Sequence, residues 1–385
     1  MELYIHIPFC IRKCTYCSFV SFSGCKAEQM ENYVSSLIIE AEQRKAFVKD
    51  QLKTVYIGGG TPSLIPPEQV NRLLSALRDI LSFSQVDEFT SEANPGTVTP
   101  EWLQSAFSCG VNRISFGMQA YQEHLLKTLG RIHRYEDVAR SVKMSRAYGI
   151  SNINLDLIFG IPGQTMKDWL DTLKAAVSLV PEHISAYGLI PEEGTPLFRA
   201  LESGKLSLPD PDLEREMYDT AISFLSDAGY KQYEISNFAF PGYECRHNIG
   251  YWNQIPYLGL GVSAASMIMS DSPSQTYFST RWTNPETLNL YNSMLEHLER
   301  FEALKETVSA DEARFETVML SLRMTKGMNR TRFRELHGND PEFWYGDILT
   351  GLENHNLLVR SEDSWRLTRR GMDIQNSVLL EFMEQ

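Results

Sequence analysis

The chain has 385 residues, a formal net charge of −13, and 43% hydrophobic and 22% charged residues. This length accommodates one large domain and a smaller one, and the composition is that of a soluble globular protein. The acidic balance disfavours nucleic-acid binding, because phosphate contacts need a basic surface. No apolar run reaches the roughly 18 residues of a membrane span, and the N-terminus lacks the pattern of a secretion signal.

The first predicted strand, Glu2–Pro8, leads directly into three closely spaced cysteines, Cys10, Cys14 and Cys17. Thiolates this close together indicate an iron–sulfur cluster, a disulfide or a zinc clip. A four-iron cluster held by three cysteines leaves one iron without a protein ligand, whereas a closed zinc site needs a fourth ligand. Because thiolates must stay reduced for such a role, the expected location is cytoplasmic.

Short β-branched runs alternate with amphipathic stretches through the first two-thirds of the chain. The later predicted strands are Lys53–Gly58, Asp87–Glu92, Asn112–Gly117, Asn152–Phe159 and His183–Leu189, and the predicted helices are Glu28–Phe47, Pro67–Leu81, Pro100–Cys109, Tyr135–Tyr148 and Met166–Leu179. This alternation predicts a parallel sheet with right-handed crossovers, in a full or partial (β/α) barrel. The site of such a barrel lies at the C-terminal ends of its strands.

Glycines and polar residues stand at or just after these strand ends: Gly59, Gly60, Thr61, Glu92 and Gln119. Arg131 follows further along the chain, and Asp156 lies inside a predicted strand. Glycine lets the backbone come close to a ligand, although a glycine run often marks only a tight turn. The Glu92 carboxylate suits an ammonium group or a sugar hydroxyl, and the Arg131 fork suits a carboxylate. Asp156 interrupts an apolar strand, so it needs either a ligand or an internal hydrogen-bonded partner.

The periodicity changes after about residue 237, where a segment rich in glycine and aromatic residues begins. It contains His247, Asn248, Tyr251 and Trp252, with Cys245 just before them. Histidine ligates haem iron, and tyrosine and tryptophan offer flat faces to a porphyrin, although a single loop histidine is commonly exposed or capping. The following stretch, Asp271–Asn284, is polar and is expected to be irregular.

The last part of the chain is predicted to be mostly helical, with one late hairpin of Leu357–Arg360 and Ser364–Leu367. Helices followed by a short hairpin are typical of a winged-helix module. Acidic residues outnumber basic ones here, so a docking or covering domain is favoured over DNA binding. The predicted domains are therefore 1–237, a connecting segment 238–284, and 285–385.

Taken together, these residues resemble the radical S-adenosylmethionine (SAM) superfamily, in the branch of oxygen-independent coproporphyrinogen III oxidase and its haem-chaperone paralogue. The resemblance covers essentially the whole chain. It implies an α/β fold, a partial (β/α)6 TIM-like radical SAM barrel with a C-terminal, mostly helical winged-helix-like domain. It also implies a [4Fe-4S] cluster on the three cysteines and SAM at the open iron. The SAM residues it implies are Tyr4, Tyr16, Gly59, Gly60, Thr61, Glu92, Gln119, Arg131 and Asp156.

Three features favour the chaperone branch over the oxidase. The chain begins too close to Cys10 for the oxidase's N-terminal extension, and Phe19 stands where the oxidase has a further cysteine. The residues from His247 to Trp252 match the chaperone's HNxxYW signature. The resemblance therefore implies a haem chaperone, with haem expected at His247, Asn248, Tyr251 and Trp252.

The implied partners are haem, an unidentified haem-acceptor protein of a kind that can be membrane-associated, and a second copy of the chain in a homodimer. Two alternatives stay open. One is an oxygen-independent coproporphyrinogen III dehydrogenase, which decarboxylates its substrate oxidatively to protoporphyrinogen IX. The other is a non-catalytic interaction protein in which the cysteines form a zinc clip.

Overall fold

A computed structural model of the chain describes residues 1–274 and 277–383. Residues 275–276, in the predicted connecting segment, and 384–385, at the end of the predicted C-terminal domain, lie outside the described residues. The strands are β1 Glu2–Ile7, β2 Phe9–Cys10, β3 Phe22–Ser23, β4 Thr54–Gly59, β5 Glu88–Ala93, β6 Arg113–Gln119, β7 Asn152–Phe159, β8 His183–Gly188, β9 Lys231–Gln232, β10 Asn237–Ala239, β11 Tyr257–Leu260, β12 Ala265–Ser274, β13 Tyr277–Thr283, β14 Glu306–Val308, β15 Met328–Asn329, β16 Leu358–Arg360 and β17 Ser364–Leu367.

Sixteen α-helices accompany these strands in the described residues. They are α1 Ala27–Arg44, α2 Pro67–Leu81, α3 Pro100–Ser108, α4 Glu123–Thr128, α5 Tyr135–Ala147, α6 Met166–Ser178, α7 Pro196–Glu202, α8 Pro211–Asp227, α9 Arg246–Trp252, α10 Leu288–Glu296, α11 Leu298–Glu302, α12 Ala310–Ser321, α13 Arg330–His337, α14 Pro341–Asn354, α15 Arg369–Asp373 and α16 Gln375–Leu380. Within this part of the chain, no helix is long and apolar enough to cross a lipid bilayer.

The main sheet has the strand order β14-β13-β12-β11-β1-β4-β5-β6-β7-β8-β10-β9. Its six predicted strands, β1 and β4 to β8, are adjacent and parallel in chain order. Among the described residues, the edge strands β9 and β14 do not pair with each other, so the sheet stays open. The predicted α/β partial-barrel fold is therefore confirmed.

The two faces of the parallel strands differ in polarity because successive side chains point to opposite faces. On β1, Leu3, Ile5 and Ile7 belong to the main hydrophobic core, which also includes side chains of α1, α2, α3, α5 and α6. The alternate residues, Tyr4 and His6, line a cavity on the opposite face. The concave face of the sheet is therefore polar along its length, and it is the face that can hold a ligand.

The segment 238–284 is built into the main sheet. β11 pairs in parallel with β1, with Glu2 opposite Tyr257, and β12 and β13 extend the sheet beyond it in antiparallel fashion. The prediction of irregular structure for Asp271–Asn284 is thus wrong at 271–274, the end of β12, and at Tyr277–Thr283, where pairing with β12 forms a strand. Residues 275–276 of that stretch lie outside the described residues. The boundaries of the three predicted domains stay predictions.

The last part of the chain has a core of its own. β15, β17 and β16 form a three-stranded antiparallel sheet, and the predicted hairpin is confirmed as β16 and β17. Helices α12, α13 and α14 contribute Val318, Phe333 and Leu349 to this core. The side chain of Thr317 on α12 donates a hydrogen bond to Gln254 Oε1 over 2.5 Å, which links this part to the segment after α9.

A buried carboxylate on α1 ties the first helix to the chain beyond the parallel strands. Glu40 has no exposed surface and accepts hydrogen bonds from Gly261 N at 2.7 Å, Asn284 Nδ2 at 2.7 Å and the Tyr291 hydroxyl at 2.6 Å. Burial raises the pKa of Glu40 from 4.5 to about 7, against the opposing effect of these donors. The folded chain therefore keeps this proton over a pH range in which the unfolded chain releases it.

Replacing Glu40 by glutamine is expected to destabilise the chain by about 1–2 kcal/mol at pH 5, since the amide NH₂ group, unlike the hydroxyl of the protonated carboxyl, cannot accept a hydrogen bond. The contribution of Glu40 to the free energy of unfolding falls as the pH rises from 4.5, its ordinary pKa, through about 7, its pKa in the folded chain. The cost of Glu40→Gln should therefore shrink, or change sign, by pH 8. Denaturant unfolding at both pH values measures this, with the exposed Glu42→Gln on the same helix as control. A cost that grows with pH contradicts the assignment.

Candidate functional site

The cysteine loop follows β1 and is fastened at several points. Phe22 N donates to Pro8 O at 2.6 Å, where β2 and β3 pair. In the middle of the loop, Thr15 N donates to Leu129 O at 3.0 Å, and Thr15 O accepts from Leu197 N at 2.9 Å. Cys10, Cys14 and Cys17 are all half-buried and free of disulfides. These hydrogen bonds hold the loop in place at the C-terminal end of β1. We call residues 7–22 the cysteine shelf.

Two glycines let the end of β4 lie directly against this shelf. Gly60 N donates to Ile7 O at 2.8 Å, and Thr61 N donates to Phe9 O at 2.7 Å. A Cβ atom on Gly60 would lie 2.7 Å from Phe9 O. Gly59 has φ +107°, and a Cβ there would lie 2.4 Å from the His6 ring. Close backbone approach requires glycine at position 60, and the positive φ and the adjacent His6 ring require it at position 59, whatever ligand the two glycines also face.

A cavity of 460 Å³ opens above the shelf at the ends of the parallel strands. Most predicted cluster and SAM residues line it: Cys10, Cys14, Cys17, Tyr16, Gly59, Gly60, Glu92, Gln119, Arg131 and Asp156. Thr61 lies behind this wall, where its hydroxyl donates to Cys10 Sγ at 3.7 Å and accepts from Asn94 Nδ2 at 2.7 Å. Tyr4 does not line this cavity and opens into a neighbouring one. We call the 460 Å³ space the cluster cavity.

Arg131 is held in the cluster cavity by two side chains. Its Nη1 donates to Asn94 Oδ1 at 2.7 Å and its Nη2 donates to the Tyr16 hydroxyl at 2.8 Å. A Cβ on Gly117 would lie 3.0 Å from Arg131 Nη2 and 2.7 Å from Gln119 Nε2. The missing side chain at Gly117 therefore makes room for both groups. Asn94 was not among the predicted site residues. Its position two residues after Glu92, at the end of a strand, could have identified it as one.

Glu92 and Asp156 face the cluster cavity from neighbouring parts of the sheet, and both have donors. Glu92 accepts from the Tyr56 hydroxyl at 2.9 Å and from Gly59 N at 3.0 Å. Asp156 accepts from Ser115 Oγ at 2.8 Å and Asn154 Nδ2 at 2.9 Å, which supplies the partners that its apolar strand demands. Burial, and then the charge of Asp156, raises the pKa of Glu92 to about 7.

The donor set fits an iron–sulfur cluster better than a single metal ion. No three His, Cys, Asp or Glu side chains in the described part of the chain are placed to hold one metal ion together, the three cysteines included. A tetrahedral zinc clip brings its thiolates to one ion, whereas a cluster takes each thiolate on a different iron. Burial raises the thiol pKa of Cys14 and Cys17, and nearby Arg131 opposes this at Cys14.

A second cavity of 740 Å³ adjoins the cluster cavity on the concave face. The two share the lining residues Ser18, Phe19, Tyr56, Glu92 and Tyr187. Tyr4, His6, Tyr251, Tyr257, Met267, Met319 and Leu320 are among the other side chains around it. Its walls come from β1, β11, β12 and α12, so the chain beyond the parallel strands completes it. We call it the aromatic cavity.

His247 lies on α9, with Asn248 and Tyr251, at the wall of the aromatic cavity. It is 1% exposed, and both ring nitrogens have partners: Nδ1 with Thr54 Oγ1 at 2.7 Å and Nε2 with the Tyr251 hydroxyl at 2.9 Å. Burial, and then the charge of Arg113, lowers the His247 pKa to about 3, so the ring is neutral.

Trp252 is the one predicted haem residue that the described structure does not place at the aromatic cavity. The Arg323 guanidinium stacks over its ring at 4.6 Å from the centroid. Its neighbours are Tyr233 and Met324, in a small core between α9 and the last part of the chain. The structure therefore brings His247, Asn248 and Tyr251 together and gives Trp252 a packing contact elsewhere.

Comparisons with known proteins agree with this arrangement. The model of the radical SAM superfamily matches residues 4–176, and that of the HemN C-terminal domain matches residues 308–374. The chain is 36% identical to the heme chaperone HemW of Bacillus subtilis, over 99% of this chain and 98% of that protein. The chain belongs to the HemW family. Its identity to the heme chaperone HemW of Escherichia coli is 33%, over 100% of this chain and 98% of the relative.

Among solved structures, the coproporphyrinogen III oxidase HemN of Escherichia coli, described as a radical SAM enzyme, has a TM-score of 0.82. The match covers 99% of this chain and 89% of HemN at 23% identity, and so shows that the two share a fold. Membership of the HemW family confirms the sequence-based resemblance and its choice of the chaperone branch.

Proposed function

We propose that the chain binds haem in the aromatic cavity and passes it to an acceptor protein, while a [4Fe-4S] cluster and SAM occupy the cluster cavity. The observation that carries this proposal is the near-full-length identity to proteins named heme chaperone HemW. The two adjoining cavities support it, because they provide one space beside the cysteines and another with aromatic walls.

In the cluster cavity, Cys10, Cys14 and Cys17 would hold three irons and leave the fourth for SAM. The cluster and SAM supply one-electron chemistry when bound. The chain's own contribution is binding: Arg131 offers a guanidinium to a carboxylate, and Glu92 offers a carboxylate to an ammonium group or ribose hydroxyl. Glu92 binds a cation better above pH 7 than below it, because its carboxyl has a pKa of about 7.

In the aromatic cavity, the volume of 740 Å³ lies within the range of about 300–1,000 Å³ that is usual for cofactor sites. Tyrosine rings and methionine side chains suit a flat macrocycle, and a neutral histidine is a haem-iron ligand. In the proposed bound state, His247 Nε2 would give up its hydrogen bond with the Tyr251 hydroxyl and ligate the haem iron instead. The same proposal includes an acceptor protein of a kind that can be membrane-associated. It also includes a homodimer and a cytoplasmic location.

The test is anaerobic reconstitution of the cluster, followed by haem titration and coproporphyrinogen III turnover on the same sample. The proposal expects iron–sulfur absorbance, saturable haem binding with transfer to an apo-haemoprotein, and no protoporphyrinogen. SAM-dependent protoporphyrinogen formation would instead support the oxidase. Zinc in place of iron, with no cluster absorbance, would support the zinc clip.

A pair of variants tests the haem role of His247. Replacing His247 by alanine is expected to weaken haem binding about tenfold or more, and to shift the haem absorbance bands, because a ligand is lost. Tyr251→Phe removes only the hydroxyl that engages Nε2, so haem binding should persist or tighten. His297→Ala, at an exposed histidine, is the control. Unaltered haem affinity in His247→Ala removes this residue from the proposal and leaves the family assignment untouched.

A further inference from the structure

One corner of the aromatic cavity holds an ion pair between Arg281 on β13 and Glu316 on α12. Arg281 Nη2 donates to Glu316 Oε2 at 2.7 Å, and the two side chains are 35% and 21% exposed. Among the described residues that line the cavity, Arg281 is the only lysine or arginine. The two histidines in the wall, His6 and His247, have pKa values lowered by burial and so carry no charge at neutral pH.

The Arg281 guanidinium has capacity for another anion. Within the described part of the chain its one hydrogen-bonded partner is Glu316. A guanidinium carries several N–H donors in a planar fork, so one carboxylate contact leaves donors unused. Both side chains are partly exposed, so the ion pair can exchange one carboxylate for another at small cost.

The rest of the wall determines what kind of anion would enter. Many of the large side chains in the rest of the wall are aromatic or aliphatic, among them Tyr251, Tyr257, Met267, Met319 and Leu320. Two further carboxylates, Glu92 and Glu286, also line the cavity. A small hydrophilic anion would leave these side chains without a partner. The lining instead fits a flat apolar body that carries a carboxylate on one edge, which is the chemistry of a tetrapyrrole with propionate side chains.

We infer that Arg281 anchors a propionate carboxylate of the tetrapyrrole in the aromatic cavity, and that Glu316 is the carboxylate it releases. The inference rests on the proposed haem function and assigns it a specificity-determining residue. Because Arg281 belongs to the main sheet and Glu316 to α12, the exchange also removes an ion pair between the sheet and the last part of the chain.

The experiment titrates the full-length chain with haem and with haem dimethyl ester, whose propionates are blocked, in the same mild detergent. Arg281→Gln is expected to weaken haem binding roughly tenfold and to leave binding of the ester unchanged. Glu316→Gln removes the competing carboxylate, so haem binding should tighten severalfold, which a folding defect would not produce. Arg332→Gln is the matched control, since Arg332 is also 35% exposed and also pairs with a glutamate.

The outcomes separate the inference from the proposed function. If the wild-type chain binds neither haem nor the ester, the proposed function fails. If it binds both equally, and neither Arg281→Gln nor Glu316→Gln changes haem affinity relative to Arg332→Gln, the anchor is wrong and the haem function stands. If Glu316→Gln weakens haem binding as much as Arg281→Gln does, the intact ion pair is what supports haem binding. That result would overturn the inference that Arg281 releases Glu316 to bind the propionate.

Discussion

Gly60→Ala is expected to prevent cluster incorporation and to destabilise the chain by about 3 kcal/mol, because the added methyl overpacks a fixed contact. The new Cβ would lie 2.7 Å from Phe9 O and 2.9 Å from Ile7 O, both backbone atoms of the cysteine shelf. Relief requires the shelf to move away from β4, and Cys10 moves with it. Iron content and iron–sulfur absorbance after reconstitution measure the first effect, and denaturant unfolding measures the second.

The matched control is Gly351→Ala in α14, where a Cβ would meet nothing within 4 Å. Alanine in a helix interior is favoured over glycine by up to about 1 kcal/mol, so this variant should be as stable as the wild type or slightly more stable. It should also take up a full cluster. Wild-type cluster content in Gly60→Ala would mean that the shelf is more adaptable than its hydrogen bonds indicate.

Arg131→Met is expected to weaken SAM binding about a hundredfold, because a bidentate partner for the carboxylate is lost. The same change leaves Asn94 Oδ1 and the Tyr16 hydroxyl without their donor. Tyr16 is then free to turn within the cluster cavity. Calorimetry or equilibrium dialysis with SAM on the reconstituted chain measures the affinity, and the iron content shows whether the cluster is retained.

Two further variants show which property of Arg131 matters for SAM binding. Arg131→Lys separates its charge from its geometry, and Arg134→Met tests the loss of a nearby surface arginine. Lysine keeps the charge but cannot hold both Asn94 and Tyr16, so an intermediate affinity is expected. Arg134 is 67% exposed and pairs with Glu123 at the surface, so its loss should leave SAM binding unchanged. Equal SAM affinity in Arg131→Met and the wild type would remove Arg131 from the SAM site.

The parallel strands were predictable because their signals are local. Each strand alternates apolar core residues with other residues, and capped amphipathic helices separate the strands, so β7 has the predicted bounds and β4 to β6 differ by one or two residues. The polar strand ends were predictable for a similar reason. In a parallel sheet the C-terminal parts of the strands meet at one edge, which brings Glu92, Gln119 and Asp156 to one cavity. Arg131 joins them from the connection between α4 and α5.

The aromatic cavity was not predictable in the same way, since its walls depend on pairings between distant parts of the chain. β11 pairs with β1 through backbone hydrogen bonds, and no local sequence pattern predicts this pairing. The alternation along β1 puts Tyr4 on the face of the sheet that carries both cavities, and the position of β11 decides that it lines the aromatic one. The SAM role that the resemblance implies for Tyr4 stays a prediction. Trp252 lies outside the lining of that cavity because the packing of α9, which the motif does not specify, turns it toward Tyr233 and Met324. Its haem role stays a prediction.

The position of β1 inside the sheet has a consequence for biosynthesis. β1 leaves the ribosome long before β11, yet β11 is one of its two neighbours, with Glu2 opposite Tyr257. Until that late strand emerges, one backbone edge of β1 has no permanent partner, and exposed strand edges invite aggregation. We therefore expect metal loading of the cysteine shelf to follow translation, and the nascent chain to need protection for most of its synthesis.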